Sequence, residues 1–274
     1  MTLIRRIIVL LFFVVSLSSL ANAQGEFAED REASNYNVNQ FGAKINTNGF
    51  GFMYTFAQRV NYRLRRNYEV EYDYVKNLKE VKVINTYFSS YFNNIKRFVF
   101  GKVNSVHNIR LGYGYNWMIF DKRDKNSVSI HLQANAGFSF AFEKPIYYEM
   151  VDSVTVLNNQ ASYYYSSHKF EDYYSGKVYD IITKSSYSTG LNEIKIRPGN
   201  YIKLDLSFDF AKNAMTVSAI ELGTILDLYY WPVTIMYDQP HNFMWSMYIA
   251  YQFGRKYNPN INRDYRREQR KLNK

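Results

Sequence analysis

The 274-residue sequence contains no cysteine. Disulfides, thiol catalysis, thiolate metal sites and a lipid-modified amino-terminal cysteine are thereby excluded. Long apolar runs are equally scarce: beyond the first residues nothing approaches the ~20 uninterrupted apolar positions of a membrane-spanning helix. Histidine is limited to His107, His131, His168 and His241, and none of them stands in a recognisable nucleophile motif. No Gly-rich phosphate loop, zinc-ligand spacing or paired-carboxylate motif occurs. No cofactor or metal is expected, and nothing in the residues supports an enzyme.

Aromatic side chains, by contrast, are abundant, with 27 Tyr and 20 Phe against a mean hydropathy of −0.39. Polar averages with many aromatics fit outer-membrane barrels, in which only every second strand residue meets lipid and aromatic girdles mark the interfaces. At the start of the chain, Arg5 and Arg6 precede an apolar run at 7–20 and the small-residue site Ala21-Asn22-Ala23. That order reads as a secretory signal peptide over residues 1–23, cut before Gln24.

Residues 127–142, SVSIHLQANAGFSFAF, alternate without interruption. Val128, Ile130, Leu132, Ala134, Ala136, Phe138, Phe140 and Phe142 fall on one side, with polar or small residues on the other. Successive strand side chains point to opposite faces, so this is one extended strand, far longer than the usual five or six residues. The same alternation marks residues 39–46, 50–58, 68–76, 106–120, 201–210, 215–228 and 243–253. The fold class expected is all-β, a transmembrane antiparallel up-and-down β-barrel of eight strands. Asn48-Gly49 forms the first hairpin turn, and Pro232 assigns 231–236 to a loop. With both ends of the barrel in the periplasm, the connections 59–67, 121–126 and 211–214 lie inside and are short. Of the outer connections, 77–102, 143–200 and 229–242 are long. A soluble lipocalin-like barrel or sandwich would share the alternation but turn the apolar face inward.

An apolar face toward lipid puts Lys44, Glu69, Glu71, Asp73, Arg110, His131, Gln133, Asn135, Lys203, Asp205, Asp209 and Glu221 in the lumen. Eight strands leave an interior about wide enough for side chains alone, so these charges should pair and plug the barrel. Inward glycines, among them Gly42, Gly51, Gly112, Gly114, Gly137 and Gly223, make room for longer side chains opposite. His107 is assigned to the lipid face near the outer rim and His131 to the lumen near its periplasmic end.

Two further features bear on function. The loop at 143–200 carries Tyr147, Tyr148, Tyr163, Tyr164, Tyr165, Tyr173 and Tyr174, and 151–157 and 177–183 have strand-forming composition. Tyrosine gives large contact area at low entropy cost and suits recognition of glycan or protein. Residues 254–274 form a basic tail with Arg255, Lys256, Arg263, Arg266, Arg267, Arg270 and Lys271. Together with basic inner turns it accounts for much of the formal net charge of +10. On the periplasmic side this charge suits anionic lipid, peptidoglycan or an acidic envelope protein, and nucleic acid is not an expected partner. The organisation expected is a signal peptide (1–23), a periplasmic segment (24–38), a barrel (39–253) with its outer loop (143–200), and the tail (254–274).

Four phrases, NTNGFG at 46–51, FGKVNS at 100–105, AIELG at 219–223 and YQFGRK at 251–256, resemble outer-membrane β-barrel proteins of Bacteroidota. The resemblance spans most of the chain after the signal peptide and implies the barrel fold and an outer-membrane location. It carries no catalytic or ligand residues. The expected role is non-enzymatic, structural or interactive, as an accessory subunit of an envelope assembly or secretion complex. The alternatives are a surface receptor or adhesin using the Tyr-rich loop, a narrow channel, or a lipid-modifying enzyme. Outer-membrane lipid and lipopolysaccharide would surround the barrel in each case.

Overall fold

The computed structural model describes residues 36–258 apart from 93–94, 123–126, 158–159, 171–179, 214 and 238. In chain order the strands are β1 Asn37–Asn46, β2 Gly49–Arg59, β3 Leu64–Val75, β4 Lys82–Val83, β5 Phe98–Val99, β6 Asn104–Phe120 and β7 Ser129–Pro145. They continue as β8 Tyr147–Leu157, β9 Gln160–Lys169, β10 Ile181–Lys184, β11 Lys195–Asp209, β12 Thr216–Thr234 and β13 Pro240–Tyr257. Eight of them close a barrel in the order β1-β13-β12-β11-β7-β6-β3-β2. Neighbours along the wall are antiparallel, and β1 pairs with both β2 and β13, so no edge is left open.

The alternation of the sequence sets which side each residue faces, and the barrel is inverted relative to a water-soluble one. On β13, Phe243, Trp245, Met247, Ile249, Tyr251 and Phe253 are exposed on the outer surface, Trp245 at 58%, whereas the Arg110 guanidinium of β6 lies inside at 2%. Large apolar residues facing out and charges facing in exclude the lipocalin-like and sandwich readings. A wall of this polarity is stable only in hydrocarbon, where every strand's backbone groups must also be paired. The fold is a transmembrane antiparallel up-and-down β-barrel.

All eight expected strands are present, but several are longer than the sequence pattern indicates. The first turn consists of Thr47 and Asn48, because Asn46 pairs with Gly49. β3 begins at Leu64, which draws Arg65 and Arg66 out of the turn and onto the wall. The expected loop at 229–242 is mostly strand: β12 runs to Thr234 and β13 starts at Pro240. Pro232 is accommodated because the register shifts between Leu228 and Val233, after which Val233 pairs with His241. A bulge is one of the few sheet positions where a missing N–H costs little. At the other end β13 continues to Tyr257, so Arg255 and Lys256 are wall residues opposite Asn39 and Val38 rather than tail. The tail residues Arg263, Arg266, Arg267, Arg270 and Lys271 lie outside the described residues, as do the signal peptide and Tyr173 and Tyr174.

One end of the barrel is closed by short turns and the other carries the two long excursions, 76–103 and 146–194. These fold together as a cap. β8, β9 and β10 make a separate sheet in the order β10-β8-β9, and β4 pairs with β5. The strand β9 is absent from the sequence reading, whereas β8 and β10 fall within or beside its two strand-like stretches. Beneath the sheet, Phe98, Val103, Ile146, Tyr148, Met150, Phe170 and Ile181 form an apolar core. The Tyr148 hydroxyl donates to the carbonyls of Val99 (2.9 Å) and Lys102 (2.6 Å), and Asn85 Nδ2 donates to Ile181 O (2.9 Å). Each excursion thus supplies the burial that the other needs.

Candidate functional site: a charged lumen beneath a folded cap

The inward-facing positions of β1, β3, β6, β11 and β12 bring three cations against a set of carboxylates. Lys44 Nζ lies 2.6 Å from Glu71 and 3.1 Å from Asp73. Lys203 Nζ reaches Glu69 at 2.6 Å and Glu71 at 2.7 Å. Arg110 pairs bidentately with Asp227, Nε at 2.8 Å and Nη2 at 2.7 Å, while its Nη1 bonds Asp73 and lies 3.2 Å from Glu71. Tyr248 receives both ammonium groups over its ring, Lys203 at 5.3 Å and Lys44 at 5.5 Å from the centroid. Such a network makes the interior specific rather than strongly stabilising, since desolvation offsets most of the Coulombic gain.

Amide side chains extend the network along the lumen. Asn67 donates to Gln133 (2.7 Å), Gln133 donates to Glu221 (2.6 Å), and Asn135 donates to Glu69 (3.2 Å). Asp205 is buried on the same wall, across Gly223 from Tyr248. Nearer the turn end, His131 bonds Asn116 (3.0 Å) and Ser129 (3.3 Å). Asp209 there meets Lys122 (3.2 Å) and Lys256 (3.4 Å), an inward use of a residue expected in the basic tail. Glycines provide the room: a Cβ on Gly112 would stand 1.8 Å from the Tyr201 hydroxyl, and one on Gly223 2.6 Å from Tyr248 Cε1.

Apolar layers bound the charged one. Val75, Val106, Ala141, Tyr229, Val233 and Ile235 cluster at the cap end. Val38, Ala57, Val217 and Ala219 cluster at the turn end. The lumen is therefore packed by side chains through its length, as the strand number leads one to expect.

The sequence reading omits Asp227, the chief partner of Arg110. The signal is present nevertheless: Asp227 has the same parity on β12 as Glu221, six residues earlier. Sequence reasoning also misses Tyr201 and Tyr248, whereas Ser139, on the polar side of 127–142, lies inside and donates to Asp227 at 2.9 Å.

Two histidines besides His131 make side-chain hydrogen bonds. His107 sits outside, its Nδ1 2.7 Å from the Tyr72 hydroxyl and its Nε2 3.0 Å from that of Tyr187. His168, placed by the sequence in an irregular loop, belongs to β9. It meets Ser166 (2.7 Å) and Asp152 (2.8 Å) through the same Nε2, and Ser166 itself donates to Asp152 (2.6 Å). A base must take the serine proton on one nitrogen while the acid orients the other. Here the serine and the aspartate meet the same nitrogen, Nε2. Those hydrogen bonds, from Ser166 first and then His168, hold the Asp152 carboxyl below the usual carboxylate range.

The cap divides the expected recognition tyrosines. Tyr148 is buried in its core, and the partly exposed Tyr147 donates to Glu193 (2.6 Å). Tyr164 and Tyr165 are exposed. Tyr163 is half-buried among rings of the 87–92 segment, 5.0 Å from Tyr91 and 5.5 Å from Phe88 between centroids. Phe92 stands 5.4 Å from Tyr165. The result is a connected aromatic strip on which Tyr87, Tyr91 and Tyr165 are each at least half exposed.

A closed eight-stranded wall with lipid-facing apolar residues and a plugged, charged interior defines an integral membrane β-barrel. No protein-family model matches the sequence, and no curated protein matches it. Among solved structures, Neisserial surface protein A is similar at 10% identity and a TM-score of 0.38, covering 81% of this chain and 96% of that one. The N-terminal β-barrel domain of Pseudomonas aeruginosa OprF is similar at 7% identity and a TM-score of 0.33, covering 80% and 97%. Ail, the attachment invasion locus protein of Yersinia pestis, is similar at 6% identity and a TM-score of 0.36, covering 81% and 97%.

Proposed function

We propose that this chain is a non-enzymatic protein of the Gram-negative outer membrane, of the Bacteroidota type its sequence phrases resemble, and that its working surface is the cap. In this reading the leader exports the chain, lipopolysaccharide and phospholipid surround the wall, and the cap end faces outward. The observation that carries it is the aromatic strip in which Tyr163 and Tyr165 stand on β9 and Tyr87 and Tyr91, from a 3-10 turn at 87–90 and the residue after it, pack against Tyr163. A pre-ordered aromatic surface loses little entropy on binding, which is what a receptor or adhesin needs. Against an enzyme stands the geometry of His107 and His168, and against a channel the packed lumen. The basic tail adds an accessory role in this reading, docking an envelope protein or peptidoglycan from the periplasmic side, in which the exposed Arg255 at the end of β13 would take part.

The test is to display the full chain on cells and probe it with immobilised glycans and extracellular proteins. Combined Tyr87→Ala, Tyr91→Ala and Tyr165→Ala should cut binding by about tenfold or more, as for clustered aromatic hot spots. Heat-dependent gel mobility, which reports a folded barrel, should not change. Undiminished binding by the triple variant would sink the cap reading.

A further inference from the structure

Where the cap meets the rim of β7 and β11 there is a cavity of about 320 Å³. Its polar lining includes Asn104, Glu143, Lys169, Glu193, Lys195 and Arg197. We propose that it binds an acidic sugar unit, a uronate or a phosphorylated sugar. This deepens the cap reading by naming a ligand class, and rests on it for the outward orientation.

The argument begins with Glu143, which is buried and fixed: one oxygen accepts the Thr234 N–H at 2.7 Å and the other accepts Arg197 Nε at 2.8 Å. Arg197 is thereby held by its Nε edge alone. Among the described residues nothing pairs with its two terminal nitrogens. A guanidinium fixed in this way presents a planar fork whose spacing matches carboxylate or phosphate oxygens.

Lys195 lies two residues earlier on β11, facing the same side, close enough to Glu193 to act on its charge. Glu193 is already engaged, by an ion pair with Lys169 and by the Tyr147 hydroxyl. Three cations thus face two carboxylates, both committed, and the surplus positive charge lies beside the open fork. An anion is the complementary ligand.

The rest of the lining selects a sugar over a simple ion or an apolar molecule. Asn104 spends its Nδ2 on the Thr234 carbonyl at 2.8 Å, which leaves its amide oxygen to accept a hydroxyl. Glu193 offers further acceptor capacity. The volume lies at the low end for small-molecule sites, suited to one or two sugar rings.

The experiment uses the full chain refolded in detergent free of lipopolysaccharide and titrated with galacturonate, glucose 6-phosphate, glucose and inorganic phosphate. The acidic sugars should bind about tenfold or more tightly than glucose or phosphate alone. Arg197→Gln should weaken them by about tenfold or more, as expected for the loss of a charge-assisted pair. Because Glu143 loses a partner in that variant, the more exposed Lys195→Gln serves as a second probe, with a loss of several-fold and unchanged gel mobility. Equal binding of glucose, equal binding of inorganic phosphate, absence of binding, or indifference to both substitutions would overturn the proposal. Titration with deacylated lipopolysaccharide and, separately, with oligogalacturonate identifies the source, the surrounding membrane or a foreign polysaccharide. The Tyr87, Tyr91 and Tyr165 variant should retain sugar binding, so the cavity and the aromatic strip fail or survive separately.

Discussion

Arg110 illustrates how much one residue decides in a narrow barrel. It enters the lumen from β6 and is met by Asp227 from β12, Asp73 and Glu71 from β3, and the Tyr201 ring from β11, 5.9 Å from its guanidinium carbon. Removing it leaves Asp227 buried without its cation, while Asp73 and Glu71 keep Lys44. Arg110→Met should therefore destabilise the barrel by about 3–5 kcal/mol, the range for breaking one side of a buried ion pair. The midpoint of urea unfolding in lipid vesicles checks this, and a shift equivalent to less than ~1 kcal/mol would argue that the network is solvated. At this scale the sequence is informative about side but not about partner. Parity puts Lys44, Glu71, Arg110 and Lys203 inside, and it would have put Asp227 there as well. That Arg110 chooses Asp227 over the nearer-strand Asp205 depends on the stagger of strands around the barrel, which no local pattern records.

Among the elements, the cap strands are where reading by pattern is weakest. The outward face of β8 and β9 is not matched to a wet or lipid face in a regular way, so β9 leaves little alternation to detect, although it pairs with β8 from Tyr147↔Lys169 to Leu157↔Gln160. Similarly, Pro232 argues for a loop until the bulge that tolerates it is known. The link between β9 and the segment before β11 is the Lys169–Glu193 pair, supported by Tyr147. Lys169 first and then Tyr147 hold the Glu193 carboxyl below its usual value of 4.5. A lowered folded value means that this tie is fully present above about pH 4.5 and is lost as pH falls through the folded value. Amide exchange at 167–169 and 191–195, corrected for intrinsic rates, should accelerate below that range, while Glu193→Gln should be fast throughout and flat with pH. Equal protection of both proteins at pH 6 would show that the pair contributes nothing, a common outcome for exposed ion pairs.

For the whole molecule, closure and filling govern behaviour together. Apolar clusters at both ends and the charged layer between them occupy the lumen. The full chain in planar bilayers is expected to give no resolvable conductance steps, and steady unitary currents from pure protein would contradict the packed interior. The sequence by itself determined the strand number, the faces of its eight alternating stretches and hence the inversion of polarity, because period-two alternation is a local property that survives any global arrangement. It also fixed the unequal ends, since turn length is counted directly along the chain. Only the tertiary structure decided which charges meet across the lumen, that the two long excursions bury one another, and that Glu143 braces Arg197 at the rim. Those contacts join residues remote in sequence, so they depend on barrel stagger and on chain folding back over the mouth.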